Sequence, residues 1–179
     1  MKNLLIAIEG QHRCETDAFA RKLARCLDFT VYDSVGRILG TERDDYEEVM
    51  ALIRQQRTLF AKELAWRGVV MQDSHLRAKA EHEARNGLAY GTAALPGSPD
   101  EYLLPNVVVL VNPPENQTFA YLRRSLEERG IPRHEIHGVA VSRSPVVGPT
   151  IEYLAQFLTR DDEFTPGSAP TPRTAAPRP

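Results

Sequence analysis

Lysine is scarce in this 179-residue sequence, which contains four lysines against 18 arginines. Cysteine is scarcer still: Cys14 and Cys26 cannot form a disulfide framework, so we expect a reducing, cytoplasmic setting. No apolar run approaches the ~20 residues of a membrane span, and residues 4–8 are too short for a signal peptide. The formal net charge is −2, whereas general nucleic-acid-binding proteins have an excess of basic residues. The sequence therefore predicts no membrane partner and no general binding of nucleic acid.

The composition divides the chain into a body, residues 1–164, and a tail, residues 165–179. The tail contains five prolines, no acidic residue and no large apolar side chain. Such a segment cannot bury enough surface to offset its ordering entropy, so we predict that it is disordered. The body has the size of one ordinary domain.

Short apolar runs alternate with helical patterns along the body. Strands are predicted at residues 4–8, 69–71, 107–111 and 138–142, and helices at residues 15–27, 44–66, 76–85, 115–129 and 150–160. Strands separated by helices imply right-handed crossovers. The sequence therefore predicts an α/β fold in which helices cover both faces of a parallel sheet.

The residues between the first strand and the first helix have the placement of a phosphate-binding loop. Their spacing fits Gly-x-x-x-x-Gly-Lys-Ser/Thr, and Gly10 provides the first glycine. Glu15 replaces the second glycine, Thr16 the lysine, and Asp17 the hydroxyl that binds magnesium. The intervening residues are Gln11, His12, Arg13 and Cys14, of which Arg13 offers some positive charge. The loop thus lacks the point charge that neutralises the β- and γ-phosphates, and the Glu15 carboxylate would repel a polyphosphate.

Several segments, in their order along the chain, resemble thymidylate kinases and deoxynucleoside kinases. Leu5-Ile6-Ala7-Ile8-Glu9-Gly10 before a helix is similar to the opening of those enzymes. Leu52-Ile53-Arg54-Gln55-Gln56-Arg57 looks like the helix whose arginine faces the acceptor nucleotide. Residues 66–73 look like the family's Gly-x-x-Val-x-x-Asp-Arg strand, in which Asp73 stands for the aspartate and Ser74 replaces the arginine after it. Val109 to Glu115 is similar to the family's junction of a strand with Pro-Glu. The resemblance implies a three-layer P-loop NTPase fold of the nucleoside monophosphate kinase type.

The resemblance also implies roles for individual residues. Glu9 and Asp73 would be catalytic, Arg54, Gln55 and Tyr90 would bind the acceptor, and Asp17 and Asp73 would hold the magnesium that accompanies ATP. A lid-like segment at about residues 115–137 would carry Arg123, Arg124, Arg129 and Arg133. Each role has a structural alternative: Glu9 as the partner of an arginine, Asp73 as a strand-end cap, and the arginines as a solvated helix face.

Three functions stay open at this point. The first is a protein that binds a nucleotide or nucleoside but has weak, unconventional or lost catalysis, a pseudoenzyme. The second is an active nucleoside or nucleoside monophosphate kinase, a transferase that uses Mg-ATP. The third is a non-catalytic protein-interaction module. A homodimer is compatible with all three.

Overall fold

A computed structural model describes residues 3–33, 45–72, 74–140 and 144–158. Its centre is a sheet of five parallel strands in the order β2-β3-β1-β4-β5. The strands are β1 (Leu5–Gly10), β2 (Thr30–Val31), β3 (Val69–Gln72), β4 (Val107–Val111) and β5 (Arg133–Ile136). The first strand is central, with β3 on one side and β4 on the other.

Within the described ranges, the α-helices that connect or follow these strands are α1 (Arg13–Leu27), α2 (Tyr46–Leu64), α3 (His75–Arg85), α4 (Gln117–Glu128) and α5 (Gly148–Leu158). Side-chain caps fix the start of three of them. Asp45 accepts hydrogen bonds from the amides of Glu47 and Glu48 at the start of α2. Ser74 and Asn116 cap α3 and α4 in the same way, which satisfies amides that have no partner within the helix.

Apolar side chains on both faces of the sheet hold the helices in two layers. Ile6 and Ile8 of β1 pack with α1 and α5 on one face. Leu5 and Ala7 point to the opposite face, where α2, α3 and α4 pack. This division follows from the alternation of side chains along a strand. The result is a three-layer α/β fold, as predicted.

Two details of the predicted elements are wrong. The last strand is not at residues 138–142, since β5 lies at Arg133–Ile136 and residues 138–140 lie outside any strand. This edge strand contains Arg133, His134 and Glu135 and so has no apolar run to reveal it. The two-residue strand β2 was not predicted at all. Residues 141–143 and the tail, residues 165–179, lie outside the described residues.

None of the helices in the described part of the chain has the length and apolar composition that a membrane crossing requires.

Removing a core side chain from α4 tests this packing. Leu122 is fully buried against the sheet, so Leu122→Ala should lower the free energy of unfolding by about 2–5 kcal/mol. Urea denaturation followed by circular dichroism measures the change. Leu59→Ala on the exposed side of α2 is the matched control and should change stability by no more than about 0.5 kcal/mol. Equal losses in the two variants would contradict the assignment of Leu122 to the core.

Candidate functional site

The carboxyl ends of β1, β3 and β4 meet at one edge of the sheet. Ile8 is in register with Gln72, and Gly10 with Val111. The chain leaves β1 into α1 on one face and leaves β3 into α3 on the other. A crevice outside neighbouring strands whose connections diverge in this way is where open parallel sheets bind ligands.

The carboxylate of Glu9 is buried at this edge, with 2% of the residue exposed. Its Oε1 atom accepts a hydrogen bond of 2.8 Å from the backbone N–H of Ser74. Ser74 is the N-cap of α3, so the negative charge lies at the positive end of a helix dipole. Glu9 therefore joins β1 to α3. Its catalytic role stays a prediction.

The connection between β1 and α1 consists of two residues, Gln11 and His12, because α1 begins at Arg13 rather than at residue 15 as predicted. Most of the predicted phosphate loop, Arg13 to Asp17, is thus helical. The amides of Glu15 and Thr16 donate to the carbonyl of His12, over 3.0 and 3.2 Å. These two amides take part in the first helical turn.

Thr16 packs closely against the end of β1. A Cβ atom on Gly10 would lie 2.6 Å from Thr16 Cγ2 and 2.7 Å from the carbonyl oxygen of Val111. Glycine is thus required at position 10 for steric reasons. Thr16 is itself buried, and its hydroxyl donates to the carbonyl of Arg13 at 2.9 Å and approaches Gln72 Oε1 at 3.3 Å. The side chain in the lysine position therefore points into the protein.

Asn112 follows β4 with a φ of 45°, a left-handed conformation that asparagine tolerates better than most residues. Its amide nitrogen donates to Glu15 Oε2 at 2.9 Å and to the carbonyl of Val139 at 2.7 Å. Its amide oxygen accepts from the N–H of Val139 at 3.1 Å. Asn112 thereby joins α1, β4 and the segment after β5. Sequence reasoning did not assign it a role, although an asparagine directly after a buried strand was a usable signal.

Asp17, one of the two predicted magnesium ligands, already has partners in the described structure. It accepts a hydrogen bond from Gln72 Nε2 at 3.2 Å and forms an ion pair with Arg21 at 3.3 Å. Magnesium is usually bound by one or two carboxylates together with water and phosphate oxygens, so its binding at Asp17 would require exchange of these partners and stays a prediction. Within the described ranges, no group of three or more His, Cys, Asp and Glu residues is placed to hold a metal. Asp73, the second predicted ligand and predicted catalytic residue, lies outside the described residues.

The predicted lid arginines lie on or next to α4 and β5, where each has a partner. Arg123 bonds to Glu115 and Glu135, at 3.0–3.2 Å, and its contact with Glu135 holds the pKa of that carboxyl below its usual range. The other pairs are Arg133 with Glu127 and Glu135, Arg124 with Glu128, and Arg129 with Ser125. A role in phosphate binding would require exchange of these partners, and it stays a prediction.

Tyr90 belongs to this arginine group. Its hydroxyl donates to Glu128 at 2.6 Å, and the Arg124 guanidinium lies 4.3 Å from its ring centre. Tyr90 and Arg129 also line a cavity of about 220 Å³ between α3 and α4. Gln55 is another of the predicted acceptor-binding residues, and it lies exposed on α2.

Arg54, the third predicted acceptor-binding residue, is half-buried on α2. Its Nη1 atom lies 2.8 Å from Glu101 Oε2. The hydrogen bond from Arg54 holds the pKa of the Glu101 carboxyl below its ordinary value. Arg54 was predicted to bind the acceptor nucleotide. In this structure its guanidinium binds the carboxylate of Glu101.

His75 was not predicted as a site residue, yet it is a buried titratable group beside the edge. It directly follows Ser74, and its ring lies 4.9 Å from that of Tyr102. Only 3% of His75 is exposed, and its Nδ1 atom has no hydrogen-bond partner among the described residues. Burial, followed by the charges of Arg129 and Lys79, lowers the pKa of His75 to about 3.

No protein-family model and no curated protein matches the chain. Solved structures do match it. Thymidylate kinase from Candida albicans gives a TM-score of 0.55 at 10% identity, over 88% of this chain and 93% of that one. Thymidylate kinase from Ehrlichia chaffeensis gives 0.54 at 11% identity, over 87% and 99%. Deoxyadenosine kinase from M. mycoides gives 0.45 at 10% identity, over 88% and 100%. The chain thus has an α/β P-loop NTPase fold similar to that of thymidylate kinases, which confirms the predicted fold class.

The buried His75 predicts a pH dependence of stability. Because its pKa is about 3 in the folded protein and about 6.5 in an unfolded chain, the unfolded state binds the extra proton between these values. The free energy of unfolding should therefore fall as the pH decreases from about 6.5, by up to about 1.4 kcal/mol per pH unit from this residue. His75→Phe should remove that part of the slope in urea unfolding. His12→Gln, at an exposed position, is the control and should keep the wild-type slope. An unchanged slope in His75→Phe would contradict the assignment.

Proposed function

We propose that this chain binds a nucleoside monophosphate at the carboxyl edge of its sheet and that phosphoryl transfer from ATP is weak or lost, as in a pseudoenzyme. The fold is similar to that of thymidylate kinases, and this similarity supports nucleotide binding. The observation that carries the rest is the first turn of α1, in which Thr16 occupies the sequence position of a kinase's lysine and packs on Gly10.

The donor side of the site disfavours ATP. A phosphate loop binds through free backbone amides and a lysine, whereas the amides of Glu15 and Thr16 here donate to His12. Glu15 adds a negative charge, and at ~4 Å from a phosphate this costs about 4 kcal/mol at an effective dielectric constant of 20. Magnesium would supply charge neutralisation to bound ATP, and Asp17 would have to exchange its partners Gln72 and Arg21 to hold it.

The acceptor side keeps groups that suit a nucleotide. Arg54 presents a guanidinium that can bind phosphate oxygens in a bidentate manner. Glu9 lies at the end of the central strand, where its carboxylate organises the start of α3. These residues support binding of a phosphate and its attached nucleoside without a triphosphate donor.

An active kinase is the second candidate, and the buried Glu9 favours it. A carboxylate at this position could accept the proton of an attacking hydroxyl group. This alternative requires turnover with Mg-ATP that disappears in Glu9→Gln. The cytoplasmic location, the homodimer and a role as a protein-interaction module remain predictions from the sequence.

Calorimetric titration of the purified chain tests the proposal. We expect saturable binding of at least one of the four deoxynucleoside monophosphates, and no binding of Mg-ATP. Arg54→Ala should weaken the affinity for the monophosphate by about ten- to a hundredfold, because a hydrogen bond between charged groups contributes about 1.5–3 kcal/mol.

Arg25→Ala, on the exposed side of α1, is the matched control and should leave the affinity unchanged. A parallel assay follows phosphoryl transfer from labelled ATP. Turnover that Glu9→Gln abolishes would establish the active kinase instead. Absence of binding by every monophosphate would contradict the proposed function, and absence of phosphoryl transfer to nucleosides and monophosphates as well would leave the interaction module.

A further inference from the structure

We propose that the acceptor nucleotide binds to the surface of α2 and α3 that residues 93–102 now cover, and that Glu101 and Tyr102 occupy this surface in place of the phosphate and the base. We call residues 93–102 the strap. The inference rests on the proposed function, because it names the location and the occupant of that acceptor site.

The first support is the carboxylate on Arg54. Glu101 Oε2 lies 2.8 Å from Arg54 Nη1, in the manner of a phosphate oxygen bound by arginine. The backbone of Gly97 lies directly against this pair. A Cβ atom at position 97 would be 2.5 Å from both Arg54 Nη1 and Glu101 Oε2, and its φ of 87° also requires glycine. The backbone of the strap at Gly97 thus leaves no room for a side chain beside the ion pair.

The second support is the aromatic ring of the next residue. Tyr102 is 5% exposed and packs with Met50 and Ile53 of α2. Its ring lies 4.9 Å from the ring of His75 on α3, at an angle of 33°. A planar ring between an aliphatic surface and an imidazole is also the environment that a nucleobase prefers. Glu101 and Tyr102 together present an anion and an aromatic ring, the two recognition groups of a nucleoside monophosphate.

Defined contacts hold the strap in this position. The amide of Ala93 donates to the buried Glu83 at 3.0 Å, and the hydroxyl of Tyr46 donates to the carbonyl of Ala94 at 3.1 Å. The Tyr102 hydroxyl donates to the carbonyl of Pro96 at 2.7 Å. The first two bonds keep the beginning of the strap on α3 and α2, whereas the bond between Tyr102 and Pro96 has to break when an incoming nucleotide moves residues 97–102.

The energetic balance allows this exchange. The side chains of Arg54 and Glu101 are 31% and 45% exposed, and ion pairs with this exposure contribute little to stability. A phosphate monoester has up to two negative charges against one on Glu101 and binds arginine more strongly. Glu101 therefore acts as a weak internal competitor for the phosphate, whereas the displacement of the buried Tyr102 has to be offset by burial of the base in its place.

Glu101→Gln tests the competition, with Glu152→Gln on the exposed side of α5 as the matched control. Each full-length variant is titrated by calorimetry with the four deoxynucleoside monophosphates. We expect Glu101→Gln to bind the preferred monophosphate about two- to fivefold more tightly than the wild type, and the control to bind it equally. In wild-type protein, saturating monophosphate should speed amide hydrogen exchange in residues 97–102 and leave β1 unchanged.

The outcomes separate the two proposals. Nucleotide binding with an unchanged affinity in Glu101→Gln and unchanged exchange in the strap would overturn the strap proposal and leave the proposed function intact. Failure of both the wild type and Glu101→Gln to bind any monophosphate would overturn the proposed function and the strap proposal together. Tighter binding by Glu101→Gln with faster exchange supports both.

Discussion

The contact between Thr16 and Gly10 is the constraint on which the rest of the site depends. The threonine side chain fills the space above the end of β1, and α1 begins at Arg13 after a connection of two residues. The same packing brings the Thr16 hydroxyl to Gln72, which in turn donates to Asp17. The end of the central strand is therefore linked to α1 and β3 through side chains of this chain.

A second feature recurs across the molecule: basic groups that suit phosphate already face carboxylates. Arg54 binds Glu101, Arg123 binds Glu115 and Glu135, and Arg133 binds Glu127. The pairs differ in exposure, and this decides how easily a ligand replaces the carboxylate. Glu135 has two arginine partners within hydrogen-bond distance, whereas Glu101 has one such partner in the described part of the chain, Arg54, with the charge of Arg57 nearby. The Arg54–Glu101 pair is thus the better entry point for an anion.

The sequence predicted those parts of the fold that local composition determines. Residues 107–111 form an uninterrupted apolar run and match β4, and the acidic residues near position 45 indicated the start of α2. The contacts of the site could not be predicted in this way. Arg54 and Glu101 are 47 positions apart, and Asn112 and Glu15 are 97 positions apart, so only the folded sheet brings them together. The start of α1 at Arg13 was also missed, because no side-chain cap marks it and the apolar stripe that predicted the helix begins only at Phe19.

In the proposed function, the first turn of α1 closes against β1 and leaves no cradle for a triphosphate. Backbone amide chemical shifts of residues 11–17, followed by two-dimensional NMR during titration with Mg-ATP, test it most directly. We predict that the amides of Glu15 and Thr16 keep their shifts, because both donate to His12 in the helix. Saturable shifts of these two amides with Mg-ATP would show that the loop opens around phosphate and would contradict the claim.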